Sequence, residues 1–226
     1  MGVQGRWTVG GLTIGQSPRD DILPDLEATI GPDCRIVQVG ALDGLESRDL
    51  TRQAPWWSRG LFVTRLRNGA EVSVRRRVVH ERLRACVSRL ESDVDLIVLL
   101  CTGDLPRLVA SCTVLHSGRL LRQAVGELEA ECLGVLTPAA GQARAQRRRW
   151  SGLARNVAVA HASPYGSPDR LLAAAEELRC AAPDAVVMDC IGYTRRMRRE
   201  LQEHLGLPAL TALDLIGPAV RKEFGV

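Results

Sequence analysis

The sequence predicts an α/β protein built as two lobes, and three observations carry that prediction. Short apolar runs of strand length alternate with longer segments of helical period, the pattern of mostly parallel sheets with helices on their faces. Each run is followed by turn-forming residues. The order Asp, apolar strand, Cys, then Gly two residues on occurs twice, in DLIVLLCTGD near residue 100 and DAVVMDCIGY near residue 190.

In chain order, strands are expected over 8–14, 35–39, 61–66, 96–100, 132–136, 157–161 and 185–189. GQSPRDDILPDL follows the first, TGDLPRL the fourth, TPAAGQ the fifth, ASPYGSPD the sixth and CIGYT the seventh. These loops leave the carboxyl ends of strands, where open α/β sheets place their ligands. Asn68 and Gly69, between FVTRLR and EVSVRRR, form a hairpin signal and imply one antiparallel excursion. Helical period runs over 79–90, with Leu83, Val87 and Leu90 on one face, over 169–180, with Leu172, Ala175 and Leu178, and over 211–224. Two matched strand-to-loop units place the division between lobes near residues 115 to 130. The first lobe is then 1–115, completed by 208–226, the second is 116–207, and the catalytic loops are expected to meet in a cleft between them.

At 226 residues, 46% hydrophobic and 25% charged, the chain has the balance of a soluble globular protein that can bury a core without staples. The net charge of +4 is concentrated in one place only, RAQRRR at 144–149. That run reads as a solvated helix face, because nucleic-acid binding would want aromatic rings between the charges and Trp150 alone is near. No nucleic acid and no membrane is expected as a partner: the longest apolar run, 96–100, is too short to span a bilayer. MGVQGR lacks the apolar core of a signal peptide and has Arg where myristoylation wants Ser or Thr. Seven scattered cysteines without C-x-x-C spacing read as the reduced thiols of a cytoplasmic protein, with no metal site.

Cys101 and Cys190 stand apart from the other five. A cysteine between the end of an apolar strand and the start of a helix sits where backbone N–H groups and the helix dipole stabilise a thiolate, which makes it a usable base or nucleophile. Gly103 and Gly192 allow the backbone a tight turn close to a ligand. Thr102 and Thr194 add hydroxyls, and Tyr193 a phenol. The first loop, Gly15, Gln16, Ser17 and Arg19, suits a small anion, with Arg19 able to hold a carboxylate bidentately and Ser17 capping the next helix; Arg65 is a second clamp. Pro164 and Tyr165 lie in the loop beside His161. There is no G-x-S-x-G and no H-E-x-x-H, so hydrolase chemistry is not indicated.

TIGQSPRDDILPDL from Thr13, VTRLRNG from Val63, SPYG from Ser163 and MDCIGYTRR from Met188 together resemble the AroM family over nearly the whole chain. That family is similar in turn to the aspartate/glutamate racemases, which implies two Rossmann-like lobes with mostly parallel sheets related by a pseudo-dyad. It also implies cofactor-independent proton transfer at the carbon next to a carboxylate, Cys101 and Cys190 serving from opposite sides. The racemases commonly carry Asn-Thr after the first cysteine and Thr-His after the second, whereas here Thr102-Gly103 and Ile191-Gly192 follow. The resemblance therefore extends equally to single-cysteine isomerases and decarboxylases of the superfamily, and a non-catalytic small-carboxylate binding or regulatory protein is the alternative from another class. The expected partner is a small carboxylate or similar anion, and a homodimer is the base-rate assembly.

Overall fold

The computed structural model describes residues 6–46 and 61–225. The chain divides into two compact units, one of Met1–Ser117 with Ile216–Val226, the other of Gly118–Leu215.

In the first unit, β1 (Trp7–Thr13) pairs in parallel with β2 (Cys34–Gly40) and with β5 (Leu96–Leu100), and β5 pairs in parallel with β6 (Thr113–His116). The order is β2-β1-β5-β6. All five residues of β5, LIVLL, are buried, as a continuous apolar run in a central parallel strand should be. Helix α1 (Leu23–Ile30) follows β1, and α2 (Arg76–Leu90) precedes β5. Helix α2 buries Val79, Leu83, Cys86, Val87 and Leu90, a stripe at three- and four-residue spacing that packs with Leu12, Ile97 and Leu99 in one core. Between β2 and α2 the hairpin appears as β3 (Leu61–Arg65) antiparallel to β4 (Glu71–Arg75). Its turn closes through the Gly69 N–H on the Leu66 carbonyl, with Gly69 at φ +87°, a conformation that favours glycine.

The second unit repeats the plan. Strand β7 (Cys132–Thr137) pairs in parallel with β8 (Asn156–His161) and β9 (Ala185–Met188), and β9 with β10 (Ala209–Thr211). Its helices are α3 (Ser117–Gly126), which begins on the last residue of the first unit, α4 (Ala143–Trp150), α5 (Pro168–Arg179) and α6 (Arg195–Leu205). Helix α6 is capped by the Thr194 hydroxyl, which accepts the Met197 N–H, and closes at Gly206 in the left-handed conformation. Helix α7 (Ala212–Phe224) carries the chain back to the first unit, where Phe224 stacks on Trp7 with ring centroids 4.5 Å apart. With strands numbered by appearance within each unit and the hairpin set aside, both sheets have the order 2-1-3-4.

Three local expectations are corrected. The buried stripe of α5 is Leu171, Ala174, Ala175 and Leu178: Ala175 and Leu178 are on the expected face, but Leu172 is exposed and Leu171 takes its place. Ser17 does not cap α1, whose N-cap is Ile22; it is spent on Asp43 instead. No helix starts after Cys101: residues 102–112 are irregular and lead into β6. Of the RAQRRR run, Arg144, Arg147 and Arg148 are exposed on α4, as a solvated face requires, but Arg149 turns inward. No helix among the described residues is long and apolar enough to cross a membrane.

Candidate active site

In a 2-1-3-4 parallel sheet, the connection leaves in opposite directions from strands 1 and 3, and the crevice at their carboxyl ends is the switch point that receives ligands. Strand 3 is β5 in the first unit and β9 in the second, and one of the two singled-out cysteines follows each, Cys101 directly and Cys190 after Asp189. The local geometry is the same in both. The Cys101 N–H donates to the Leu99 carbonyl at 2.9 Å, and the Cys190 N–H to the Met188 carbonyl at 3.0 Å. Two residues on, the Gly103 N–H donates to Cys101 Sγ at 3.4 Å and the Gly192 N–H to Cys190 Sγ at 3.5 Å. A backbone N–H aimed at sulfur stabilises an anion there more than a neutral thiol.

Both glycines are required by close approach. A Cβ on Gly103 would lie 2.6 Å from Phe62 Cε1, and a Cβ on Gly192 would lie 2.6 Å from the Tyr165 hydroxyl and 2.9 Å from Pro164 Cγ. Thus Phe62 of the hairpin closes on the first turn, while Pro164 and Tyr165, from the loop after β8, close on the second. Thr102 and Ile191, between cysteine and glycine, are both buried.

Around Cys101, the loop after β1 is tied down by its own hydrogen bonds. Gln16 gives its amide to the Leu42 and Leu45 carbonyls and accepts the Arg67 N–H. Asp43 accepts the Ser17 N–H and hydroxyl and the Gly40 N–H. Arg19 is 1% exposed; its Nε and Nη2 donate to the two Asp21 oxygens at 2.8 and 2.7 Å, and its Nη1 to Thr13 Oγ1 at 3.4 Å. Arg65 lies 3.5 Å from the same carboxylate. Gly15 packs against Thr64 and the Arg65 backbone with no room for a side chain. Burial pushes the Asp21 carboxyl up, but the hydrogen bonds and charge of Arg19, with the charge of Arg65, outweigh it and hold the group below its usual range. The expected anion clamp is in this structure an internal guanidinium–carboxylate pair, so Arg19 would serve a ligand only by sharing it.

Around Cys190, the preceding Asp189 is buried and accepts from Arg149 Nη1 at 3.2 and 3.0 Å and from Trp150 Nε1 at 3.1 Å. Tyr193 is fully buried with its hydroxyl on the Ala162 carbonyl at 2.6 Å, which ties the Cys190 turn to the loop carrying Tyr165. Thr194 caps α6. His161 is exposed at the end of β8.

Sequence reasoning did not find Asp21, Asp43, Phe62, Arg149 or Asp189. Asp189 lies directly before the cysteine in MDCIGY and could have been read as a buried partner for one of the RAQRRR guanidinia. Burial, the largest cause at each, pushes the Cys34, Cys86, Cys112 and Cys132 thiols up. None of the seven cysteines is in a disulfide. Among the described residues, no group of three or more His, Cys, Asp or Glu is arranged to hold a metal ion.

The fold is shared with solved enzymes. Allantoin racemase from Pseudomonas fluorescens superposes with a TM-score of 0.67 at 12% identity, over 97% of this chain and 92% of that one. The maleate isomerase Iso from Pseudomonas putida S16 gives 0.63 at 14% identity, over 97% and 93%, and aspartate racemase from Picrophilus torridus gives 0.57 at 10%, over 96% and 94%. No curated protein matches the chain in sequence. The family model described as AroM protein matches residues 9–222, and with nearly the whole chain inside that match, the protein belongs to the AroM family.

Proposed function

We propose that the protein is a cofactor-independent isomerase or racemase that moves a proton at the carbon next to a carboxylate of a small molecule, with Cys101 and Cys190 as its two acid–base groups. The observation that carries this reading is the duplicated turn: in each unit a Cys-x-Gly turn follows the third strand with the glycine N–H on sulfur, at 3.4 and 3.5 Å. A lone buried cysteine is ordinary packing; two that share one backbone device at equivalent switch points are not explained by packing. The fold shared with racemases and an isomerase supports the reaction class.

In the proposed step, one thiolate takes the α-proton, breaking C–H and forming S–H, and the negative charge passes to the carboxylate as an enediolate. The opposite thiol gives its proton to the other face of the carbon, so the centre inverts and no redox or group transfer occurs. Backbone N–H groups and the Thr102 and Thr194 side chains are the proposed donors to the developing charge.

The test is exchange of the α-proton in D2O across a panel of small chiral carboxylates, with Cys101→Ser and Cys190→Ser. Each variant is expected to lose turnover by about 10²-fold or more, the ordinary contribution of a positioned acid or base, while its circular dichroism is unchanged. Full activity in both variants would remove the two-thiol mechanism. The absence of a helix after Cys101 favours a second reading, in which Cys190 acts alone in an isomerisation or decarboxylation. Under that reading the Cys101→Ser variant stays active.

A further inference from the structure

We propose that the exposed arginines of α3 and α4 form a docking surface for an acidic segment of a protein partner. The proposal does not depend on the cysteine chemistry.

Two helices of the second unit build this surface and hold each other in place. Arg122 of α3 donates from Nη1 to the Arg149 carbonyl in the last turn of α4 at 2.5 Å, and Arg149 donates from Nη2 to the Gly118 carbonyl at the start of α3 at 3.5 Å. Arg119 and Arg122 are exposed three residues apart on α3, and Arg144, Arg147 and Arg148 are exposed on α4 at the spacing of one helix face. Among the described residues, none of these five guanidinium groups has a carboxylate partner. The sequence withholds the counter-charges, since no Asp or Glu occurs over 117–126 or over 132–168. Other helices place theirs within a turn: Arg77 pairs with Glu81, Arg179 with Glu176 and Arg196 with Glu200.

This arrangement works against the fold. Like charges three and four residues apart on a helix repel. The helix dipole favours Arg147 and Arg148 in the last turn of α4, but it opposes Arg119, which lies in the first turn of α3. Solvation requires only that a side chain be exposed; it does not require five unpaired like charges on one surface. Locally unfavourable choices gathered in one place are characteristic of functional sites.

What bounds the patch selects the partner. Exposed Glu127, Glu129 and Glu131 follow α3 directly, and Glu131 lies 3.8 Å from Arg155, just beyond α4. A long uniform polyanion, such as a nucleic acid or an anionic membrane, would run onto these carboxylates, and like charges brought together oppose binding. A short acidic run avoids them. Helix α4 is about 12 Å long, the span of about four extended residues. Single-stranded nucleic acid would also want exposed rings between the charges, and Trp150, the aromatic residue of α4, is fully buried. Each guanidinium presents a fork of N–H donors that matches a carboxylate.

The experiment is fluorescence anisotropy of labelled hexaglutamate titrated with the intact protein at low ionic strength, where charge contacts are least screened, repeated with labelled hexathymidylate. Two triple variants are compared with the wild type. One is Arg144→Ala/Arg147→Ala/Arg148→Ala; the other, Arg77→Ala/Arg84→Ala/Arg89→Ala, removes the same charge from exposed positions of α2. Circular dichroism checks that both are folded. Hexaglutamate is expected to bind the α4 variant about tenfold more weakly than the wild type and the α2 variant as it binds the wild type. No binding to the wild type, or equal affinity for the two variants, would overturn the proposal, the latter because net charge alone is then sensed. Tighter binding of hexathymidylate than of hexaglutamate would overturn it in favour of a nucleic-acid partner.

Discussion

The Cys101 turn and the Cys190 turn have the same backbone and different surroundings. Both follow strand 3 of a 2-1-3-4 sheet and both place a glycine N–H on sulfur. At the residue before the cysteine, the first unit has the buried apolar Leu100 and the second has the buried Asp189. At the glycine, the first unit presents the Phe62 ring and the second the Tyr165 hydroxyl. The comparison teaches that the turn itself supplies an N–H to each sulfur, while the groups that close on its glycine come from elsewhere in each unit and differ in polarity.

The largest effect should come from removing the polar element unique to the second turn. Asp189→Ala leaves the Arg149 guanidinium and the Trp150 N–H without their acceptor, and breaking one side of a buried pair costs about 3–5 kcal/mol. Urea denaturation should show that loss. The double variant with Arg149→Ala should recover part of it, since the uncompensated charge is then gone. A loss below about 1 kcal/mol in the single variant would mean that Asp189 is solvated enough to be dispensable, and the contrast with Leu100 would lose its energetic meaning.

Next in size are the two glycines. Alanine at either position forces its neighbour aside, and overpacking of this kind costs about 1–3 kcal/mol. Stability alone will not tell Gly103→Ala from Gly192→Ala, but thiol reactivity will. Gly192→Ala, pressed against Tyr165 and Pro164, shifts the N–H that reaches Cys190 Sγ and should slow neutral-pH alkylation of Cys190. Gly103→Ala displaces a hydrocarbon ring and should leave Cys190 untouched. Equal slowing of Cys190 in both would show that the glycine substitutions act through the fold and not through the neighbours assigned to them.

The parts of this arrangement that sequence could reveal are those written locally. All seven expected strands form, because central parallel strands such as LIVLL and AVVM are continuous apolar runs bounded by turns. The Asn68-Gly69 hairpin forms for the same reason of local chemistry. Strands β6 and β10 were not legible, being four and three residues long, below the length at which alternation can be read. The Cys-x-Gly repeat was visible as a spacing. Its neighbours were not, because Phe62 and Tyr165 come from other loops and strands, and nothing in the order of residues says which ring will meet which glycine. For the same reason Arg19 and Ser17, read as ligand contacts, are found spending their hydrogen bonds on Asp21 and Asp43.

The smallest effect concerns the loops after strand 1, where the units also differ. In the second unit the end of β7 is tied by a neutral pair, the Thr137 hydroxyl donating to Gln142 Oε1 at 2.7 Å. In the first unit the loop is tied by the Arg19–Asp21 ion pair, whose carboxyl burial alone would push up and whose guanidinium partners hold below its usual value. A carboxyl lowered in the folded state binds protons less readily there than in the unfolded chain. Its contribution to stability is fully present above the ordinary carboxylate value of about 4 and is lost as pH falls through the lowered one. Hydrogen exchange, corrected for its intrinsic pH dependence, should therefore show the amides of Gln16, Ser17 and Arg19 losing protection on acidification below about pH 4, while Ala162, whose N–H is held by the Thr137 carbonyl, keeps its own. In Asp21→Asn the first-unit loop should exchange faster already at neutral pH and respond less to acid. If wild type and Asp21→Asn respond to acid alike, the loop is held by Asp43 and the backbone alone, and the ion pair is incidental to the difference between the units.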